Sequence, residues 1–340
     1  GSDANNLWAV GDGGTILKWN GSVWSSQSSG TDQNPRGVWG SDANNVWAVG
    51  DGGTILKWNG SAWSAQSSGT TQILFGVWGS DVNNVWAVGD GGTSLRWNGS
   101  AWSAQSSGTT QILFGVWGSD ASNVYVVGKN GTVVRCSAGV PTCTVLSTFT
   151  TNTLYGVWGS DASNVYAIGD GGTVLRCAAN MTSCTALTAP MQPLLAVWAS
   201  DASNVYAVGN SGTVIRCSAA SNTCQVLTTG TTQNIWGIWG SDPTNVYAVG
   251  SGVVLRCSAG SNTCTLLNSN GSTLNAVWGS DASNVYVVGS GGFILHCGAG
   301  LSSCTPQISG TNQNLRGIWG SDASNVYAVG WYSSVLRLVP

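Results

Sequence analysis

The 340-residue chain has no glutamate, a single histidine, two methionines and three lysines, and only 7% of it is charged. Typical soluble domains are about 25% charged. Glutamate and lysine are common on helix surfaces, so their scarcity argues against a helical protein. With no glutamate and only His296, a conventional acid–base pair is hard to assemble, so no catalytic residue is assigned and no enzyme is expected. The net charge of −3 offers no basic stripe, which argues against nucleic acid or an anionic membrane as partner. No apolar run approaches the ~20 residues of a membrane-spanning helix, and the first residues carry no signal-like segment; membrane insertion is not expected. A hydrophobic content of 42% excludes a disordered polyampholyte.

What the chain has instead is glycine (49), tryptophan (19) and a repeat. Gly-Ser-Asp recurs at Gly1, Gly40, Gly79, Gly118, Gly159, Gly240, Gly279 and Gly320, with Ala199-Ser200-Asp201 as the variant copy. The nine copies are 39–41 residues apart, and copies 40–78 and 79–117 differ only at Ala43/Val82, Ile55/Ser94 and Lys57/Arg96. Each unit reads as four short strands. Strand a is Gly-Val-Trp (Gly76-Val77-Trp78), and a Gly-Ser-Asp-x-x-Asn turn leads to strand b (Val46–Val49). An Asp-Gly-Gly hairpin (Asp51–Gly53) precedes strand c (Thr54–Trp58), and Asn59-Gly60-Ser61 precedes strand d (Ala62–Gln66). β-Branched and aromatic segments between Asp-Gly and Asn-Gly turns fit an antiparallel meander.

A four-stranded meander repeated every ~40 residues is the signature of a β-propeller blade. The expected fold is therefore all-β: a single propeller over residues 1–340, with partial first and last repeats. Nine b–c hairpins accompany eight a strands and eight d strands. Nine blades are favoured, with eight as the alternative.

The segment Val46-Trp47-Ala48-Val49-Gly50-Asp51-Gly52-Gly53-Thr54-Ile55-Leu56-Lys57-Trp58-Asn59-Gly60-Ser61-Ala62-Trp63 resembles the tectonin-type propeller repeat. It also resembles the blades of secreted bacterial propellers of the Asp-box and Ycf48-like kind. The resemblance rests on turn glycines and core aromatics, which specify a blade and not a ligand. Some tectonin-like propellers are lectins, which implies a glycan as a candidate ligand. The chain departs from the Asp-box pattern, since Ser-x-Asp-x-Gly-x-Thr-Trp is missing at the c–d hairpin. Sialidases of that fold also use a catalytic glutamate, which this chain lacks.

Ten cysteines form five pairs with six intervening residues: Cys136/Cys143, Cys177/Cys184, Cys217/Cys224, Cys257/Cys264 and Cys297/Cys304. The repeat register places each pair across one c–d hairpin, so local disulfides are expected. Trp19/Trp24, Trp58/Trp63 and Trp97/Trp102 hold the corresponding places in the first three copies, where a cross-strand aromatic pair does the stapling. Metal binding is the alternative, but Cys-x6-Cys without nearby histidine lacks the usual zinc spacing. No metal or cofactor is assigned. Disulfides imply an oxidising compartment, extracellular or at the cell surface.

Lys18, Lys57, Arg96, Arg135, Arg176, Arg216, Arg256, His296 and Arg337 share one position near the end of strand c. The a–b turn at the same end carries Asp3, Asp42, Asp81, Asp120, Asp161, Asp201, Asp242, Asp281 and Asp322. One cation and one aspartate per blade suggest a ring of structural ion pairs; a calcium or anion site would need more converging ligands. The strand-a tryptophans (Trp39, Trp78, Trp117, Trp158, Trp198, Trp239, Trp278, Trp319) are expected to be core, as is the strand-b series of Trp8, Trp47 and Trp86 that becomes tyrosine from Tyr125 to Tyr327. The opposite rim, of b–c turns and d–a loops, displays Asp12, Asp51, Asp90 and Asp170 beside Gln33, Gln72, Gln111, Gln233 and Gln313. These are the candidate binding residues, paired as Asp51 with Gln72 and Asp90 with Gln111, although Asp-Gly-Gly also makes a good hairpin turn by itself.

The leading functional expectation is a non-catalytic extracellular module that recognises a surface glycan, protein or polymer through several weak sites. The alternative is a structural subunit or decoration of an extracellular fibre or envelope layer, with self-association.

Overall fold

The computed structural model describes residues 5–298, 300, 302–332 and 334–338. Among these, the only helical elements are single 3-10 turns of three residues, and strands account for the remaining regular structure. The strands form eight antiparallel sheets in meander order. Five hold four strands, the first and last hold three, and one holds six. The fold is a β-propeller of four-stranded blades, with fewer separate sheets than the nine that the repeat count favours.

The six-stranded sheet explains the difference. In the seventh repeat the b–c connection reads Ser251-Gly252-Val253, one residue shorter than Asp51-Gly52-Gly53-Thr54. No 3-10 turn forms there, and strands b and c run together as Asn245–Cys257. The following strand, Thr265–Asp281, likewise joins strand d of this repeat to strand a of the next. The first sheet has strands b, c and d, and the last has a, b and c, as the partial end repeats require.

The chain divides into two compact units, Gly1–Ala167 with Leu175–Ala186, and Ile168–Val174 with Leu187–Pro340. In the first, the second blade comprises Pro35–Asp42, Asn45–Gly50, Ile55–Trp58 and Trp63–Gln66. Its register sets Trp47 opposite Lys57 and Trp58 opposite Trp63. Strand b is the core strand, since Val46, Trp47, Ala48 and Val49 are all buried. Trp47, Val49 and Ile55 pack on Leu74, Val85, Ala87, Leu95 and Trp97 of the third blade, so hydrophobic layers form between neighbouring blades. The second unit is built likewise, with Tyr206, Val208 and Val214 packed on Val246, Ala248, Val253 and Leu255.

The strand-a tryptophans depart from the expected full burial. Trp39, Trp78 and Trp117 are half-buried, and the fully buried series is that of strand b from Trp47 onward. Six of the eight strand-a indoles reach across to the glycine of the next Gly-Ser-Asp, as Trp39 does to Gly79, Trp78 to Gly118 and Trp198 to Gly240. The Gly-Ser-Asp glycine is not itself a turn residue: Gly79 lies inside the strand Leu74–Asp81. The turn begins at the aspartate.

The b–c turn uses glycine for its backbone. Gly52 and Gly53 have φ of 61° and 72°, and a Cβ on Gly53 would stand 2.0 Å from the Thr70 carbonyl oxygen. A side chain is excluded at Gly53 on both counts.

All five expected disulfides are present: Cys136–Cys143, Cys177–Cys184, Cys217–Cys224, Cys257–Cys264 and Cys297–Cys304, with Cα–Cα distances of 3.9–4.4 Å. Relative to the strands they stand in two ways. Cys217 and Cys224 are direct cross-strand partners in the sheet register, as the tryptophan pairs are. Cys143, Cys184, Cys264 and Cys304 do not lie on strand d; each stands one residue before it, since those strands begin at Thr144, Thr185, Thr265 and Thr305. All five hairpins have six residues between their cysteines; in four of them the bridge closes the loop just before the ladder starts, and in one it lies on the ladder. Cys304 remains buried at 6% exposure and packs with Cys297 on Val285 and Val287. The tryptophan pairs hold the matching place in the first three blades, with ring centroids 5.9 Å apart for Trp19–Trp24 and 6.0 Å apart for Trp58–Trp63 and Trp97–Trp102.

Candidate functional site

At the a–b end, every described turn aspartate closes its own turn. Asp81 accepts from the Asn83 backbone N–H (2.8 Å), from Asn84 Nδ2 and from Ser80 Oγ (2.8 Å). Asp42, Asp120, Asp161, Asp201, Asp242, Asp281 and Asp322 repeat the pattern, and Asp3 lies outside the described residues. Partial burial pushes the Asp81 carboxyl up, but the hydrogen bonds outweigh it and hold the pKa below the usual range.

The expected ring of aspartate–cation ion pairs is not formed; among the described residues the salt bridge is Arg36–Asp51, at the other end. An asparagine stands between the charges instead. Arg96 donates to Asn84 Oδ1 at 2.6 Å while Asn84 Nδ2 donates to Asp81. The cations also lie on indoles: Lys57 Nζ is 5.2 Å from the Trp47 ring centroid and 4.6 Å from that of Trp97 in the next blade. Arg216 donates to the carbonyls of Ser258 and Ala259. Burial lowers the pKa of His296, opposed by Asp281, and the ring stacks on Tyr286 at 4.6 Å. Beside it, Cys297 and Cys304 are bridged to each other, so neither offers a thiolate to His296. This end is a structural network.

At the opposite rim, the Asp51 turn lies between two loops, with Gly53 against Thr70 of the loop after it. Gln33 lies against the turn of Asp51 at Gly52, and Gln72 against the turn of Asp90 at Gly91. The turns that follow Gln111, Gln233 and Gln313 are built on Lys129, Ser251 and Trp331, whose N–H groups donate to Ile112, Asn234 and Asn314. Gln72, Gln111, Gln233 and Gln313 are each held by a backbone N–H on a threonine hydroxyl two residues earlier, at 3.1 Å. The Asp51 carboxylate is taken by Arg36 and by Asn34 Nδ2, and hydrogen bonding to Arg36 holds its pKa down. Phe75 replaces Arg36 in the next repeat, and Asp90 Oδ1 is buried there without a partner. The carbonyls of Asp12 and Asp170 accept from Thr15 and Thr173, closing their turns.

A concave feature lies on the first unit. A groove of about 1080 Å³ runs between the second and third blades, lined by Gln66, Ser68 and Thr70 on one side and by Trp97, Trp102 and Ser107 on the other. It exists because the c–d hairpin of the third blade is short. Four residues separate Trp97 from Trp102, whereas six separate Cys136 from Cys143 in the fourth blade. Sequence reasoning read both staples but missed the groove, whose signal is this difference in spacing. Hydroxyls, amides and indole edges line it, the mix of apolar and polar groups found in binding grooves.

No protein-family model matches the sequence, and neither does any curated protein sequence. Solved structures do. They are β-propellers. YCF48 from Cyanidioschyzon merolae matches with a TM-score of 0.54 at 16% identity, over 79% of this chain and 96% of that one. YCF48 bound to D1 peptide matches with a TM-score of 0.52 at 15% identity, over 72% and 85%. Sqt1 of Chaetomium thermophilum, bound to the N-terminus of ribosomal protein L10, matches at 0.68 and 12% identity, over 91% and 97%. At these identities the likeness carries the fold alone.

Proposed function

We propose that this chain is a non-catalytic recognition module of an oxidising, extracellular compartment, and that it binds a surface polymer through repeated grooves between blades. The observation that carries the reading is the groove at Gln66–Thr70 facing Trp97 and Trp102. Its lining recurs in sequence one repeat earlier, where Gln27, Ser28 and Ser29 precede the short Trp58/Trp63 hairpin. Two like sites on one chain would raise the avidity for a repetitive ligand without any new contact. Five disulfides support the compartment, since such bonds persist outside the reducing cytosol. The similar structures bound to a peptide and to a protein N-terminus show that this fold accommodates polymer partners.

The test is an array of extracellular glycans and extended peptides probed with the intact protein and with Trp102→Ala. Binding that weakens in the variant, at unchanged far-ultraviolet circular dichroism, is the expected result. Binding indifferent to Trp102, or a bound polymer released chemically altered, would refute it.

A further inference from the structure

The groove that is open between the second and third blades is filled in later blades by the protein itself, and the filling shows what fits. After strand d of the third blade, Ser106 pairs as a parallel bridge with Thr142 of the next c–d hairpin. The Ser106 N–H donates to Pro141 O at 2.9 Å, and its C=O accepts from the Cys143 N–H at 2.8 Å. Ser147 uses Thr182 and Cys184 in the same way, and Thr228 uses Asn262 and Cys264. In each case an extended segment with a small hydroxyl residue, Thr142, Ser183 or Thr263, lies along the edge.

Ser67 stands where Ser106 stands, 39 residues earlier, and the short hairpin of the third blade does not reach it. Among the described residues, neither the N–H nor the C=O of exposed Ser67 has a hydrogen-bond partner. The neighbouring glutamine shows the same difference. Gln105 is 6% exposed; its Oε1 accepts from Trp86 Nε1 at 2.8 Å and its Nε2 donates to the carbonyls of Ser137 and Val140 in the filling hairpin. Gln66, with no such carbonyls to meet, folds back onto Ser64. Trp47, fully buried in the place of Trp86, is left with an Nε1–H that has no acceptor. The first blade repeats this: Gln27 folds onto Ser25, and Trp8 Nε1 has no acceptor. An open edge and an orphaned indole donor thus occur together, twice, wherever the following hairpin is short.

We propose that the edges Gln66–Ser68 and Gln27–Ser29 each take up an extended polypeptide segment rich in small hydroxyl residues, which adds as a parallel strand by main-chain hydrogen bonding. The inference rests on reading the groove as a recognition site and names its ligand. The incoming backbone supplies a carbonyl to the Ser67 N–H and an N–H to the Ser67 C=O. Two further carbonyls draw Gln66 inward, as Ser137 and Val140 draw Gln105, and Gln66 Oε1 then accepts from Trp47 Nε1. Binding thereby satisfies a buried donor that the free protein leaves unpaired.

The probe is a capped peptide copying residues 138–143 with serine in place of the cysteine, titrated into the intact protein and followed by NMR. The expected result is protection of the Ser67 amide and a downfield move of the Trp47 indole proton. Ser28→Pro with Ser67→Pro, which removes both edge donors, should weaken binding at least about tenfold, equivalent to about 1.4 kcal/mol. The Ser28→Ala, Ser67→Ala pair should bind as the parent does. Gln66→Ala should bind more weakly and leave the Trp47 indole unmoved, a response that does not depend on tolerance of proline. Equal binding by the proline pair, or no binding by this peptide or any extended peptide on the array, would overturn the proposal. A glycan that binds at Trp102 while no peptide does would overturn it too, yet leave the recognition reading standing.

Discussion

Replacing Gly79 by alanine adds one methyl group and tests the contact that joins one blade to the next. The new Cβ would lie 2.5 Å from Trp39 Cη2 and 2.7 Å from Cζ3. Carbon atoms pack best at about 3.5–4.0 Å, so the indole must retreat by about 1 Å. Trp39 has little room to do so, because its other side meets Trp47 at a centroid distance of 5.7 Å. Overpacking of this kind costs about 1–3 kcal/mol. Gly40 is the internal control. It holds the same repeat position, but its added Cβ would meet only Val46 and Asn45, the nearest atom at 3.0 Å and no indole. Urea unfolding followed by tryptophan fluorescence should therefore give a larger loss for Gly79→Ala than for Gly40→Ala. On a Trp39→Leu background the Gly79→Ala penalty should shrink, a coupling that a double-mutant cycle reads directly. Equal losses at Gly40 and Gly79, or a penalty untouched by Trp39→Leu, would refute the steric account.

Removing one staple, Cys217→Ser with Cys224→Ser, opens an eight-residue loop and should lower stability by about 2.5 kcal/mol on the chain-entropy model, measured by urea unfolding. Non-reducing peptide mapping of the parent should return five bridges, each within one hairpin. Arg216→Ala removes a guanidinium from the Ser258 and Ala259 carbonyls; it should cost about 1–2 kcal/mol in the same assay and leave the binding of the folded protein intact. The turn aspartates have folded pKa values below their unfolded ones, as Asp81 and Asp281 show. Their contribution is therefore present above an unfolded value of about 3.9 and is lost as pH falls below it, so unfolding free energy should drop steeply on acidification past about pH 4. Burial likewise depresses His296, whose neutral form the fold prefers; stability should decline gently as pH falls below about 6.5, and His296→Gln should remove that limb.

Blade architecture was legible because glycine turns, alternating strands and a fixed period all point to one meander. Cysteine pairing was legible because the repeat register leaves one partner in reach. Two features were not. Charge counting put Asp81 and Arg96 at one end but could not see Asn84 between them. Composition made the strand-a tryptophans core, whereas Trp39 spends one edge on the Gly79 backbone and stays half-buried. The groove lay further from view, since it follows from two residues missing in one hairpin relative to another.

The five disulfides can also be regarded as latches. Each closes a hairpin, and the described hairpins ending at Cys143, Cys184 and Cys264 are the segments that cover the edges at Ser106, Ser147 and Thr228. Uncovered edges are templates for pairing with other chains. In an oxidising medium the edges at Ser28 and Ser67 are among those left uncovered. In a reducing one the covering hairpins loosen, and the same surface gains further edges that bind indiscriminately. Oxidation therefore sets how many edges the molecule leaves open to other chains.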